Sequence, residues 1–445
     1  MNVRHRAAAI GAMLILSACS ASPTTAPAPA STPSAQPTAS KPAPAATQAP
    51  TAAPAPPKPT EPPKTAAQPA AAATLVVNDA ATANPNLKPS EVRLPGGGSY
   101  KQQTVRLPEG FSMSIMAAGL RQPRFMAFDG HGNLLVGDAR AGNVYRFPAS
   151  QVNGGEATVA PPRPLIGGLD APSNVALFSA PDGEYLYVGE TGAVARYRYA
   201  ADGVIGQRQV VIPDLPKGGH NTRTVAFGPD GKLYLAVGSS CNICEERDEK
   251  RATVLRYNPD GSGYERFAWG LRNAVGLAFQ PGTTNLWATV NERDNQGNEI
   301  PPDLVTIVSP GKFYGWPSCQ PPNAKPQSGS ESCQNVTPPT VGIQAHSAPL
   351  GLAFYTGAQF PEDYRGDLFV VQHGSWNRQP PAEPKLLRIK FQNGVPVSAT
   401  DFATGWQMAD GGRWGRPAGV IVAPDGALLV SDDQASVIYR VSYKK

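Results

Sequence analysis

The sequence has no apolar run long enough to cross a bilayer. The stretch from Ala7 to Leu16 falls well short of the roughly 20 residues that a spanning helix needs. Charge is sparse and nearly balanced. Only 16% of residues are charged, and 39 basic against 34 acidic side chains leave a net +5. No Lys/Arg run gathers that charge into a patch, which argues against nucleic acid as a partner. Helical periodicity is almost missing beyond residue 97, so helical bundles and α/β folds are excluded. Cysteine is scarce too, at five residues. Cys241-Asn242-Ile243-Cys244 has no second Cys pair or His pair to complete a zinc site. Glu245 follows it, where covalent haem attachment would need His.

What the N-terminus does have is an export pattern. A short basic start (Arg4, Arg6) and the Ala7–Leu16 run lead into Leu16-Ser17-Ala18-Cys19, which resembles a bacterial lipobox. On that reading residues 1–18 are a lipoprotein signal peptide and Cys19 carries the lipid. Ser20 resembles a signal for sorting to the outer membrane, with the protein facing the periplasm. The alternative is a secreted or periplasmic soluble protein cut at an ordinary small-residue site. Residues 19–96 then read as a Pro/Ala/Thr-rich disordered linker, too poor in apolar side chains to offset the entropy of ordering. Export makes disulfides the expected fate of the remaining four cysteines. Of the three possible pairings, Cys241–Cys244 and Cys319–Cys333 are favoured because each closes a local loop. The second encloses about 15 residues, worth about 3 kcal/mol on the chain-entropy model.

Residues 97–445 are built from a repeated unit. A lead-in loop runs into a strand of small residues, as in Gly119-Leu120-Arg121-Gln122-Pro123-Arg124-Phe125-Met126-Ala127-Phe128 and Gly270-Leu271-Arg272-Asn273-Ala274-Val275-Gly276-Leu277-Ala278-Phe279. A turn and an apolar strand follow, as in Pro229-Asp230-Gly231 into Leu233-Tyr234-Leu235. Further copies begin near Gly168, His220, Ser347 and Gly415, at irregular spacings of about 45–80 residues, as in propeller arrays. The fold class is therefore all-β, a six-bladed β-propeller preceded by a disordered Pro/Ala-rich tether. The early strand Ser112–Met116 is expected to complete the last blade and close the ring.

Aligned on the repeat, the residues before each first strand are Arg121, Asp170, His220, Arg272, Ser347 and Gly415, followed by Gln122, Ala171, Asn221, Asn273, Ala348 and Arg416. In a propeller these positions ring one mouth of the axial channel. His220, after two glycines and outside the apolar strand, is the candidate general base, because imidazole titrates near neutrality. Arg272 and Arg416 are candidate anchors for carboxylates.

These residues carry a family resemblance. Leu107-Pro108-Glu109-Gly110-Phe111, Gly219-His220-Asn221, Ser239-Ser240-Cys241-Asn242-Ile243-Cys244, Gly270-Leu271-Arg272-Asn273, Asn291-Glu292-Arg293-Asp294, Phe313-Tyr314-Gly315-Trp316-Pro317, Gln372-His373-Gly374-Ser375-Trp376-Asn377-Arg378 and Gly415-Arg416-Pro417 are together similar to the soluble pyrroloquinoline quinone (PQQ)-dependent sugar dehydrogenases. The L-sorbosone dehydrogenase-like branch is the nearest. The resemblance spans Leu107 to Tyr443 and implies a dehydrogenase of a sugar or sugar-derived aldehyde, with PQQ and Ca2+ as cofactors. It implies that His220 removes the substrate hydroxyl proton and that Arg272 faces the quinone oxygens. Asn273, Arg378, Arg416 and Trp376 would bind or line PQQ. The loop of Glu292, Arg293 and Asp294 would hold calcium, with backbone carbonyls as candidate ligands. A periplasmic cytochrome c or quinone-type acceptor would take the electrons, and the membrane would be met through the N-terminal lipid alone. The sequence departs from the soluble glucose dehydrogenases at Ser173-Asn174, Arg293-Asp294 and His373-Gly374, where those enzymes carry their catalytic glutamine, calcium-loop carbonyl pair and PQQ-binding lysine. Other readings stay open. The Asn291–Asp294 stretch can also be read as a solvated turn, and Trp376 as a rim packing residue, each the less favoured reading. The whole domain could be a non-catalytic envelope propeller that binds a sugar or other ligand, or a calcium-dependent lactonase. The lactonase is disfavoured by mouth positions that are mostly cationic or neutral.

Overall fold

The computed structural model describes residues 74–94, 102–154, 157–200 and 202–444. The signal peptide, Cys19 and the tether as far as residue 73 lie outside the described residues. The linker boundary at residue 96 is corrected: chain that composition had assigned to the linker is built onto the propeller. Leu75–Val76 pairs parallel with Val341–Gly342, and Lys88–Arg93 forms an antiparallel hairpin with Gln102–Leu107. Between them the one-turn helix Asp79–Thr82 is capped by Asn78 and pinned by Lys385, whose ammonium lies 2.8 Å from Asp79. The reason is local. From Leu75 on, apolar residues reappear between the polar ones, and Val92 is buried against Val105 in a core cluster.

Six sheets of three to five strands make the blades. Their first strands are Pro123–Phe128, Asn174–Ala180, Arg223–Phe227, Ala274–Phe279, Pro349–Phe354 and Pro417–Val422. Each touches the next, and the sixth touches the first. The closure expected from sequence is present: Phe111–Ala118 pairs with Val437–Tyr443 as the outer strand of blade 6. That pairing ties the two ends of the ring together with strand hydrogen bonds rather than packing alone. The hydrophobic cores lie between neighbouring blades. Trp287 of blade 4 packs with Leu352, Phe354 and Val370 of blade 5, and Tyr187 of blade 2 packs with Val225 and Leu235 of blade 3.

Near the axis the backbones come too close for side chains. A Cβ on Gly419 would sit 2.5 Å from the Arg124 carbonyl oxygen, and one on Gly276 would sit 2.2 Å from that of Leu350. This is why small residues recur in the first strands. The polar groups exposed by the close approach are stitched from blade to blade. Ser431 donates to the Arg124 carbonyl at 2.5 Å, the amide of Val225 to Asn174 at 2.9 Å, and Thr289 to the Leu350 carbonyl at 2.6 Å. Left unpaired at such depth, each group would cost about 1–3 kcal/mol. Among the described residues no helix is long and apolar enough to cross a membrane.

Candidate active site

The loop carrying His220 enters blade 3 from Lys217 and is held from beneath by two arginines inside the fold. Arg223, wholly buried in the first strand, donates to the carbonyls of His220 and Thr222 at 2.9 Å each and to that of Pro216 at 2.5 Å. Arg251 donates to the Lys217 carbonyl at 2.7 Å. Burial, then the neighbouring Arg251, pushes the Arg223 guanidinium down to about 10. Sequence reading missed both arginines. The available clue was a charged residue at the start of the strand Arg223-Thr224-Val225-Ala226-Phe227.

The orientation of His220 is set by Ser239. The backbone amide of His220 donates to the Ser239 carbonyl at 3.0 Å. Ring Nδ1 lies 2.9 Å from the same oxygen and 3.0 Å from the Ser239 hydroxyl, which itself donates to the Cys241 carbonyl at 2.8 Å. A carbonyl can only accept, so Nδ1 carries the ring proton and Nε2 keeps its lone pair. Among the described residues Nε2 has no hydrogen-bond partner. Burial, and after it the charge of Arg272, pushes the imidazole down to about 4 from its ordinary 6.5. At neutral pH the ring is therefore uncharged with the Nε2 lone pair free. The titration near neutrality expected from sequence is corrected: burial and the Arg272 charge make this imidazole a weaker proton acceptor than a free one.

Arg272 is 3% exposed, and all five of its N–H donors are engaged. They meet the Asn242 carbonyl (3.1 Å) and side-chain oxygen (3.0 Å), the carbonyls of Asn291 (3.2 Å) and Glu292 (2.7 Å), and the Asp294 carboxylate (2.7 Å). Its positive charge acts on His220, but as placed no donor is left over for quinone oxygens. Asn273 is buried beside the histidine. A Cβ on Gly238 would lie 2.6 Å from His220 Cβ and 2.5 Å from Asn273 Oδ1, and that Oδ1 has no partner.

The Asn291–Asp294 stretch is not a solvated turn. Glu292 and Arg293 are buried and paired with each other, and Arg293 also donates to the Cys319 carbonyl at 2.7 Å. Both Asp294 oxygens are taken, one by Arg272 and the other by Asn377 at 2.9 Å. The Asp294 carbonyl accepts from Asn242 at 2.9 Å. Glu292 Oε1 alone among these carboxylate oxygens is buried without a partner. Both expected disulfides are formed, Cys241–Cys244 and Cys319–Cys333. Among the described residues, Cys241, Cys244 and Glu246 form the one compact group of metal-ligating side chains, and its two sulfurs are spent on the disulfide.

Asn377 leads from this network to the second half of the site. A cleft of about 530 Å³ on the blade 5 and blade 6 loops is lined by Trp376, Arg378, Arg413, Arg416 and Asp410 among others. It brings together three of the four residues expected to bind or line PQQ, and adds Arg413. Trp376 is 71% exposed, so most of its ring faces solvent. Arg378 pairs with Glu299 at 2.6 Å. Arg416 donates to the carbonyls of His373 and Gly374 at 3.0 and 3.1 Å, while Asp432 caps its amide at 2.8 Å. Arg413 donates to the Ser375 carbonyl at 2.6 Å, and its Nε is buried with no partner. Three guanidiniums, mostly bonded to neutral carbonyls, leave the cleft cationic. The clue to Arg413 was its place three residues before Arg416 in Arg413-Trp414-Gly415-Arg416.

The family model described as TrAA12-like matches residues 105–323 and 318–444, nearly the whole propeller. The chain belongs to the TrAA12-like family. An uncharacterized protein of Borreliella burgdorferi is 28% identical over 352 residues, covering 77% of this chain and 92% of that protein. A pyrroloquinoline quinone-dependent sugar dehydrogenase of Hypocrea jecorina is 25% identical over 354 residues, covering 66% and 77%. Two solved structures share the fold of this TrAA12-like chain at 22% identity. The calcium structure of a Trichoderma reesei family AA12 enzyme has a TM-score of 0.66 and covers 81% of this chain and all of that one. The holo form of the PQQ domain of a Coprinopsis cinerea pyranose dehydrogenase has a TM-score of 0.64 and covers 79% and 100%.

Proposed function

We propose that this chain is a quinoprotein oxidoreductase that oxidises a sugar or a sugar-derived aldehyde, L-sorbosone-like or an aldose, at C1. The observation that carries the reading is the pairing of an uncharged, oriented His220 with a cationic cleft. Family membership supports it, as does the activity named for the Hypocrea jecorina relative.

PQQ is a planar anion with three carboxylates, and the cleft fits such a group. Arg413 Nε is a buried N–H without a partner, Arg378 and Arg416 stand beside it, and Trp376 offers an aromatic face. These four residues would hold the cofactor. When bound, PQQ supplies a two-electron acceptor. The chain's own part is proton handling: His220 takes the substrate hydroxyl proton at Nε2, while Ser239 keeps Nδ1 protonated so that the acceptor nitrogen points one way. Arg272 keeps positive charge near developing negative charge without binding it directly.

Calcium is proposed as a second cofactor, in line with the calcium structure of the Trichoderma reesei neighbour. At the Glu292–Asp294 loop it would lean on the Arg293 carbonyl and on Glu292 Oε1, since the Glu292 and Asp294 carbonyls accept from Arg272 and Asn242 and the other carboxylate oxygens are committed to Arg272, Arg293 and Asn377. A lactonase with calcium held by several carboxylates has less support, because no carboxylate cluster of that kind occurs among the described residues. We further propose an outer-membrane lipoprotein anchored through Cys19, passing electrons to a periplasmic cytochrome c or quinone-type acceptor.

The test is reconstitution with PQQ and calcium, followed by dye reduction with L-sorbosone, glucose and other aldoses. PQQ-dependent turnover that disappears in His220→Ala is the expected result. Absence of PQQ-dependent turnover, or full activity in the variant, overturns the reading. PQQ binding without turnover would favour the non-catalytic binding propeller.

A further inference from the structure

We propose that Asn242 is a positioning residue for the proton-transfer site and that the Cys241–Cys244 disulfide holds it in place. The proposal rests on the reading of His220 as the base.

Asn242 sits between the two bonded cysteines and uses every polar atom it offers on that side. Its carbonyl accepts from Arg272 Nε at 3.1 Å and from Trp316 Nε1 at 2.9 Å. Its Oδ1 accepts from an Arg272 terminal nitrogen at 3.0 Å and from the Asp294 amide at 2.8 Å. Its Nδ2 donates to the Asp294 carbonyl at 2.9 Å. The Asn242 side chain thus satisfies both backbone groups of Asp294 while that residue's carboxylate grips Arg272. Two of the five donors of Arg272 end on Asn242, so the direction of its guanidinium is set from this loop as much as from the loop of Asn291 and Glu292.

The other end of the same segment holds the histidine. Ser239 orients the His220 ring, and the Ser239 hydroxyl is itself fixed by the Cys241 carbonyl. One stretch from Ser239 to Cys244 therefore sets both the base and the cation beside it. The stretch lies outside every strand, so no sheet ladder restrains it. The restraint comes from the Cys241–Cys244 bond, from the contacts of Asn242, from the Ser239 amide donating to the Arg272 carbonyl at 2.7 Å, and from Ser240, which donates to Glu246 at 2.6 and 2.7 Å. The residue type matters as well. Aspartate would keep both acceptor contacts but lose the donor to Asp294, and would place a second carboxylate beside it. Alanine would lose all three side-chain contacts.

The experiment compares Asn242→Ala, Asn242→Asp and the double variant Cys241→Ser/Cys244→Ser with wild type. Two independent readouts are used: steady-state kinetics of the PQQ- and calcium-loaded protein, and amide hydrogen exchange of the 291–296 segment without cofactor. A misplacement of this kind lowers kcat in Asn242→Ala by about 10- to 100-fold with KM changed by less than about threefold. The Asp294 amide, having lost its acceptor, exchanges about tenfold faster or more. Asn242→Asp keeps that acceptor, so its exchange stays close to wild type and its kcat falls between the other two. The double serine variant moves both readouts in the direction of the alanine variant. Wild-type kcat in Asn242→Ala, or unchanged Asp294 exchange in that variant, overturns the proposal. A wild type with no PQQ-dependent turnover overturns the functional reading alone, and the exchange data then still decide for or against Asn242 as the residue that fixes Asp294.

Discussion

The two halves of the mouth use arginine in opposite ways. On blades 3 and 4, Arg272 is saturated: five donors meet five acceptors, one of them the Asp294 carboxylate. On blades 5 and 6, Arg413 and Arg416 are anchored to carbonyls that carry no net charge, and a buried N–H of Arg413 is unspent. A saturated arginine fixes geometry and supplies a field. An under-neutralised one in a cleft invites an anion. On the proposed reading, the first half serves proton transfer and the second holds a charged ligand. A second histidine underlines the contrast. His373 is held to Asp433 at 2.9 Å, and Arg124 pairs with the same carboxylate at 2.5 Å. Burial works against ionisation of Asp433, but His373 and Arg124 outweigh it and hold the carboxyl well below the usual range. His373 is thus a support beneath Arg416, to which its carbonyl is bonded, with its ring tied to a carboxylate, whereas the His220 ring is tied to a neutral carbonyl.

Removing the base should have the largest effect. His220→Ala is expected to lower kcat by about 10²–10⁴-fold, the usual range for a general base, with PQQ affinity nearly unchanged. Stopped-flow reduction of bound cofactor, beside a binding titration, checks both parts. A variant that lost PQQ affinity and kept its rate per bound cofactor would erase the division between the halves.

The converse change strikes the cleft. Arg413→Ala and Arg416→Ala each remove a charged donor, and charge-assisted hydrogen bonds contribute about 1.5–3 kcal/mol. Each variant is therefore expected to weaken PQQ binding by about 10- to 100-fold, with the rate at saturating cofactor less affected. Fluorescence or absorbance titration of PQQ gives the affinity.

How much of this was legible beforehand follows from what repeats and what does not. The blades were readable because six copies of one strand pattern reinforce one another, and the closing strand followed from the same pattern. The beginning of the structured chain was misplaced because Leu75–Val76 is too short to carry a period of its own and acquires its strand only from Val341–Gly342. His220 and Arg416 could be found by repeat position. Arg223, Arg251, Ser239 and the contacts of Asn242 could not, because those roles depend on which carbonyls the folded loops turn inward. The mutual pairing of Glu292 with Arg293, adjacent residues both buried, likewise has no signature in a sequence that reads there as a polar turn.

A smaller shift is expected in the titration of the base. In the protein without cofactor, the His220 imidazole should titrate near pH 4 rather than near 6.5, observable by NMR of labelled histidine and assigned by its loss in His220→Gln. The sign follows from burial, which disfavours the charged ring and is the larger cause. The Arg272 charge is the next. Arg272→Met should therefore move the midpoint upward yet leave it below the free value. Because the folded state disfavours protonated His220, this residue's contribution to stability is complete above about pH 6.5 and is lost as pH falls toward 4. A midpoint at 6.5 in wild type would mean that the ring is solvated and the first half of the site is not closed around it.

The smallest effect belongs to Trp376. A tryptophan that is 71% exposed contributes almost nothing to packing, so Trp376→Ala should change unfolding stability by no more than about 0.5 kcal/mol, as for other surface positions. Its contribution appears only when a planar ligand covers it. An aromatic contact adds about 0.5–1.5 kcal/mol beyond buried area, so PQQ affinity should fall by about 2- to 10-fold in Trp376→Ala and recover largely in Trp376→Phe. Thermal unfolding with and without PQQ separates the two contributions, since the variant should match wild type without the cofactor and fall behind it with the cofactor. If the alanine variant lost stability without PQQ, Trp376 would be a packing residue after all. The cleft would then be an arginine site without an aromatic wall, and charge alone would have to select the ligand.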